Sequence, residues 1–193
     1  MTVRVILISP AMSAAMREAR FDDDSPLDAV GLRQAEAAYG TLPAGDRVFA
    51  SPTTRCRRTA EALGVQAEPH AALRPCAMGR WRGRLLDELT ASEPEAVTAW
   101  LSDPAAAPHG GESLDALCAR VAGWFDELSG DSGRVIAVAE PDVVRAAVVH
   151  ALGTPVPGFW RIDVLPLTLT ELSGRAGRWN LRSGRALAPA RNP

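Results

Sequence analysis

Six residues whose types could do chemistry stand where strand-like segments end: Ser9, Pro10, Met12, Ser13, Arg55 and Glu140. A guanidinium such as that of Arg55 presents a planar fork of donors suited to phosphate or carboxylate. A carboxylate such as Glu140 can serve as a general acid or base when it is held beside a reacting group. Ser9 and Ser13 supply hydroxyls, yet no histidine in the sequence forms an evident triad with either.

The elements that must bring these residues together follow from local pattern. Val3, Val5, Ile6, Leu7 and Ile8 form a short, β-branched apolar run, which predicts a strand buried on both faces, as in a parallel sheet. Ser9-Pro10 follows, and Ser as cap with Pro at the first helical position predicts a helix over 11–20. The same punctuation recurs twice. A strand over 47–50 leads into Ser51-Pro52 and a helix over 53–63 that Gly64 stops. A strand over 134–139 leads into Glu140-Pro141 and a helix over 142–152 that Gly153 stops. Three such corners in one sheet converge on one edge, and ligands of open α/β sheets bind beyond the carboxyl ends of the strands.

Two further helices are predicted. One covers 27–40, with Leu32, Ala35, Ala38 and Tyr39 at helical spacing. The other covers 112–128, with Leu114, Leu117, Cys118, Val121, Phe125 and Leu128 on one stripe and Gly130 as its stop. Residues 71–111 read as irregular, with a helical stretch near 93–101. Strand-like patterns cover 160–165, 167–172 and 179–181, and 185–193 reads as a loose tail. Asp22-Asp23-Asp24 reads as a solvated acidic loop.

These corners also carry a resemblance. VRVILISPAMS, PLDAVGLRQAEA, FASPTTRCRRTAEALG, GRWRGRLLDEL, HGGESLDALCARV, VIAVAEPDVVRAAVVHALG and GRWNLRS follow one another as in the histidine phosphatase superfamily, also called phosphoglycerate mutase-like. The resemblance covers nearly the whole chain. It implies a three-layer α/β/α sandwich with a mostly parallel sheet, formed as one domain over 1–193, with residues 71–111 covering the pocket. It places Glu112-Ser113 near the pocket rim, and it makes a homodimer an expectation.

The catalytic residues depart from that family. Where its active members carry Arg-His-Gly-Glu, with the His as phosphoryl acceptor, this chain has Ser9, Pro10, Ala11 and Met12. The family's second His corresponds to Glu140, in Ala139-Glu140-Pro141. Its acidic proton donor falls where Leu73-Arg74 is followed by Pro75. Of the phosphate-binding set, Arg55 remains. The family geometry also implies that Arg55 and Glu140 meet and neutralise each other. The resulting expectation is a catalytically degenerate protein that binds a small anionic ligand or a protein partner through Ser9, Met12, Ser13, Arg55 and Glu140. Two alternatives stay open. One is an enzyme of different chemistry on this fold, with Glu140 as acid/base and Arg55 as anion clamp. The other is residual phosphatase activity through another nucleophile.

Composition narrows the remainder. The 193 residues are 47% hydrophobic with net charge −2, which suits a globular, cytosolic protein with a substantial core. There is no Lys, which excludes Schiff-base and P-loop lysine chemistry. Acidic residues balance the arginines, so neither nucleic acid nor membrane is an expected partner. Three cysteines without paired spacing argue against a disulfide framework. Met12, Met16, Cys76, Met78 and His109 form a soft-ligand set on paper, but no ligating spacing supports it, so no metal and no cofactor is expected. His70 reads as exposed and His109 as a plain polar residue before Gly110-Gly111.

Overall fold

The computed structural model describes residues 2–21, 23–128, 133–175 and 177–183. Strands β1 (Val3–Ile8), β2 (Arg47–Ala50), β3 (Glu68–Pro69), β4 (Arg134–Val138), β5 (Leu169–Arg175) and β6 (Arg178–Arg182) form one sheet in the order β3-β2-β4-β1-β5-β6. The pairs β2–β3, β2–β4 and β1–β4 are parallel, whereas β5 and β6 join antiparallel at one side. Helices α1 (Ala14–Arg17), α2 (Ala29–Ala37), α3 (Thr54–Ala62), α4 (Leu86–Ser92), α5 (Pro94–Ser102), α6 (Leu114–Glu127) and α7 (Pro141–Leu152) complete it.

The strand period of two separates the faces of the sheet. Val3, Val5 and Leu7 point into the larger core with α6 and α7, while Ile6 and Ile8 join the smaller core with α3. Helices therefore cover both faces, as the unbroken apolar runs of β1 and β4 require. Ile8 and Ala50 both pair with Val138, so the carboxyl ends of β1, β2 and β4 lie level and the three corners do converge.

Several local expectations are corrected. Ser9-Pro10 opens no helix, because the Ser9 hydroxyl donates to the Leu165 carbonyl and accepts from Thr168 N–H at 3.0 Å. Ser13 caps the short α1 instead, accepting from Met16 N–H at 3.3 Å. In α2 only Gly31 and Ala35 are buried; Leu32 and Tyr39 are 39% and 69% exposed. Gly31 faces the chain at Met12, where a Cβ would stand 2.3 Å from the Met12 carbonyl oxygen. The predicted stripe of α6 is buried throughout, joined by Trp124.

The strand expected over 160–165 does not form: Trp160 and Arg161 end a 3-10 helix over Val156–Arg161, since Pro155, Pro157 and Gly158 suit tight turns better than ladder bonds, and residues 162–165 follow without regular structure. The stretch 71–111 holds more order than expected: two 3-10 turns, then α4 and α5, the latter where the sequence placed it. The expected stop at Gly130 and the tail 185–193 lie outside the described residues. Among the described residues no helix is long and apolar enough to cross a membrane.

Candidate active site

Arg55 and Glu140 meet at the second and third corners. Arg55 lies in the first turn of α3, whose cap is Thr53. Glu140 follows β4 in extended backbone and does not cap α7 with its side chain; it reaches across to Arg55. The Nε of Arg55 donates to both carboxylate oxygens at 2.7 Å, and a terminal guanidinium nitrogen stands 2.7 Å from Oε2. Thr53 Oγ1 donates to Glu140 Oε1 at 2.8 Å, and the Cys56 thiol reaches the same oxygen at 3.4 Å. The two charged side chains are 8% and 1% exposed. Such a pair is held by charge-assisted bonds strong enough to fix both side chains.

A cavity of about 380 Å³ opens beside this pair, lined by Thr53, Asp24, Arg74, Cys76, Gly79 and Arg82, among others. Thr53 thus has one side on the cavity and its hydroxyl on Glu140. Asp24 takes the outer end of α3, accepting from Thr54 N–H at 2.7 Å and from its hydroxyl at 3.1 Å. The rim carries Arg74, which pairs loosely with Glu112 at 3.3 Å, and Arg82, which makes no ion pair among the described residues.

The far wall is fastened to α6 and α7. Arg120 donates to the carbonyls of Ala72 and Arg74 at 2.7 and 3.0 Å while gripping both oxygens of Glu112 at 2.9 and 2.7 Å. Burial opposes the charge on Glu112, but Arg120 and Arg74 outweigh it and hold the carboxyl below its usual range. The main chain crosses itself closely here: Glu112 N–H donates to the Ala77 carbonyl at 2.7 Å, and a Cβ on Gly111 would fall 1.8 Å from that oxygen. The expected rim position of Glu112-Ser113 therefore acquires a physical role, since Glu112 holds the loop that carries Arg74.

Ser9, Met12 and Ser13 stand apart from the cavity lining. Ser9 anchors the loop before β5, the Met12 carbonyl accepts from Asp28 N–H at 3.1 Å, and Ser13 caps α1. Pro10 offers no side-chain nucleophile, and the three imidazoles are engaged elsewhere. His70 is half-buried, not exposed: it lies edge-on to Phe49 and Trp124 and accepts from Ala72 N–H. His109 is buried against Trp81, with burial and then Arg80 lowering its pKa. His150 packs on Phe125.

The cysteines are held as thiols. Burial first, then the charges of Asp142 and Glu112, push Cys76 up to about 12. Burial and Glu140 push Cys56 well above its ordinary value. Neither offers a ready thiolate nucleophile.

Asp142, at the start of α7, accepts from Cys76 N–H at 2.6 Å and so ties the cavity wall to the helix. Burial raises its carboxyl to about 6, against the lowering effect of the Cys76 N–H bond and with the Glu140 charge adding to the rise. The folded state thus holds this proton more tightly than the unfolded chain, so ionising Asp142 destabilises the fold. The destabilisation is absent below the unfolded value near 3.8, grows as pH rises, and is complete above about 6. Asp142→Asn can still accept from Cys76. The variant's Tm, compared with that of the unaltered protein, should rise between pH 4 and 6 and stay level above. A difference that does not change over that window excludes the effect.

Sequence reasoning found Arg55 and Glu140 but missed Thr53, Asp24, Arg74, Arg82 and Asp142. Thr53 was signalled by its position as a helix cap after a strand. Arg74 and Arg82 had no local signal, because the loop crossing at Ala77 and Gly111 creates the rim.

A mostly parallel sheet with a buried guanidinium–carboxylate pair at the ends of its strands, beside a cavity lined in part by Arg74 and Arg82, defines an α/β protein with its charged groups gathered at one sheet edge. The chain belongs to the histidine phosphatase superfamily (branch 1), whose pattern matches residues 12–185. A glucosyl-3-phosphoglycerate phosphatase of Mycolicibacterium vanbaalenii is 31% identical over 148 residues, spanning 69% of this chain and 66% of that protein. A protein of the same name from Mycobacterium tuberculosis is 32% identical over 135 residues, 66% of this chain and 60% of its own length. The matches therefore span less than two thirds of these curated relatives. In structure, a mycobacterial glucosyl-3-phosphoglycerate phosphatase complexed with VO3 superposes with a TM-score of 0.81 at 27% identity, covering 93% of this chain and 96% of that one. These findings correct the expectation of a catalytically degenerate protein: the relatives and the structural neighbour are named as phosphatases.

Proposed function

We propose that this chain hydrolyses phosphate monoesters in the cavity beside Thr53. The observation that carries the reading is the contact of Thr53 with both the cavity and Glu140, under a rim that bears Arg74 and Arg82. The arginines hold the phosphoryl oxygens by charge-assisted bonds. Water is the nucleophile, since Pro10 supplies none. As its oxygen bonds to phosphorus, a proton passes through the Thr53 hydroxyl to Glu140. The ester P–O bond breaks with its electron pair on the leaving oxygen, and the proton returns by the same route to form the alcohol. Glu140 is thus the general base and then the general acid. Arg55 holds and neutralises it instead of clamping the substrate. The names of the relatives support a phosphorylated glycerate as the first ester to try.

Release of inorganic phosphate from glucosyl-3-phosphoglycerate, 3-phosphoglycerate and p-nitrophenyl phosphate tests this directly. Hydrolysis of at least one ester is expected, and Glu140→Gln should abolish it. No phosphate release from any ester, or full activity in Glu140→Gln, overturns the reading.

The rim is tested separately. Arg82→Ala should raise KM about ten-fold with a smaller change in kcat, because a ground-state charge-assisted contact is lost, with Arg82→Lys partly restoring it. An unchanged KM removes Arg82 from the site.

A further inference from the structure

The cavity beside Thr53 divides by chemistry. Arg74 and Arg82 supply its cations, but most of its lining residues are Pro52, Pro75, Cys76, Ala77, Met78 and Gly79. These six side chains have little to offer a hydroxyl. The prolines, the alanine and the glycine carry no polar side-chain atom, Met78 carries only a weakly accepting thioether, and Cys76 spends its thiol on the Glu112 carbonyl at 3.2 Å. Much of the main chain of this wall is committed as well. The Cys76 N–H goes to Asp142 at 2.6 Å, and the carbonyls of Ala77 and Met78 accept from the N–H groups of Glu112 and Trp81 at 2.7 and 2.9 Å. The Thr53 hydroxyl is given to Glu140. Hydroxyls on a ligand would therefore leave water for a surface that returns few of their hydrogen bonds, a cost that an apolar body does not bear. A carboxylate would share the cavity with the like-charged Asp24. An apolar body gains by leaving water, and the unbranched Met78 side chain can adapt to its shape.

We infer that the alcohol portion of the ester is apolar, an aryl or alkyl group that lies on Pro52, Pro75, Ala77 and Met78, while the phosphoryl group alone carries charge to the arginines. The inference deepens the phosphatase reading and rests on it for the position of the ester. It departs from the glucosyl phosphoglycerate of the relatives' names, whose hydroxyls and carboxylate this lining does not serve.

Phosphonates have no ester bond to break, so their titration calorimetry on the whole protein reads binding alone. Phenylphosphonate should bind about ten-fold more tightly than methylphosphonate, with a negative heat-capacity change. Propylphosphonate should bind more tightly than 2,3-dihydroxypropylphosphonate, which differs from it by two hydroxyls. Met78→Gln, similar in size but polar, should pull the phenyl-to-methyl ratio towards one. Ala77→Asn tests the same wall at an exposed position, where folding is not at stake. A fall in the ratio in either variant supports the placement. The inference is overturned by no binding of any phosphonate, by a ratio near one in the unaltered protein, by tighter binding of the dihydroxy compound, or by a ratio that survives both substitutions. Phosphate release separates it from the reading on which it rests. Phenyl phosphate should exceed glycerol 3-phosphate in kcat/KM. The reverse order keeps the phosphatase and removes the apolar body. A preference for phenylphosphonate in a chain that hydrolyses no ester keeps the apolar wall as a binding surface and removes the phosphatase.

Discussion

Arg55→Ala should lower the stability of the fold by about 3–5 kcal/mol, because it strands the Glu140 carboxylate in a buried place with one hydroxyl and one thiol for partners. The magnitude comes from desolvation. Both charges have left water, their attraction repays that loss only while both are present, and removal of one leaves the full penalty on the other. A merely surface pair would be worth about 0–1 kcal/mol. The contrast within this protein is Arg58 with Glu61, whose side chains are 64% and 63% exposed. When both single variants are unfolded in urea, Arg58→Ala should therefore be nearly silent. The double change Arg55→Met/Glu140→Leu should recover most of the loss, since apolar replacement of a whole buried pair is often neutral or stabilising. A single-variant loss within the range of the exposed pair would show that Glu140 is not stranded, and that water or another cation reaches it.

How far the sequence disclosed this arrangement depended on the range of the interaction involved. β1 and β4 were legible because a buried parallel strand needs a continuous apolar run, and few other short elements do. The corners were legible because Pro and Gly act on the backbone locally: Gly153 does adopt the left-handed conformation, at φ 60°, where α7 ends. The convergence of the corners followed from the repeated strand–Pro–helix pattern, whereas the meeting of Arg55 with Glu140 was what the resemblance to the family implied. Ser9 misled because a cap and a long-range anchor use the same hydroxyl; its partners Leu165 and Thr168 lie 156 and 159 residues away. Trp160–Arg161 misled for a related reason. An apolar run beside proline satisfies strand and 3-10 patterns alike, and in the tighter winding Phe159 packs on Trp160, which packs in turn on Trp100. The cavity rim was illegible, since Arg74 and Arg82 acquire their positions from Arg120, Glu112 and the crossing of two loops. No periodicity records such a crossing.

Trp81→Ala should bring a loss of similar size, about 3–5 kcal/mol, and should disable the cavity with it. Trp81 is fully buried and is the hub of the segment that forms the far wall. Its ring stands 5.8 Å from Phe21, 5.8 Å from Trp100 and 5.2 Å from His109, and its indole N–H donates to Glu93 at 3.2 Å. Alanine removes one of the two indoles of this cluster and leaves a void that three other rings, each held by its own neighbours, can close only in part. Two of the residues that line the cavity, Gly79 and Arg82, flank Trp81 within two positions, and Met78 accepts its main-chain N–H at 2.9 Å. Relaxation of the cluster must therefore move the wall that carries the arginine rim. Trp81→Phe, which keeps an aromatic ring but loses the bond to Glu93, should be milder in both respects. Urea unfolding read together with phosphate release separates the possibilities. A loss below about 1 kcal/mol for Trp81→Ala, the ordinary range for an unremarkable substitution, would mean that the wall is held by the Arg120 and Gly111 contacts alone. A large loss with kcat/KM unchanged would mean that the cavity is not where the ester reacts.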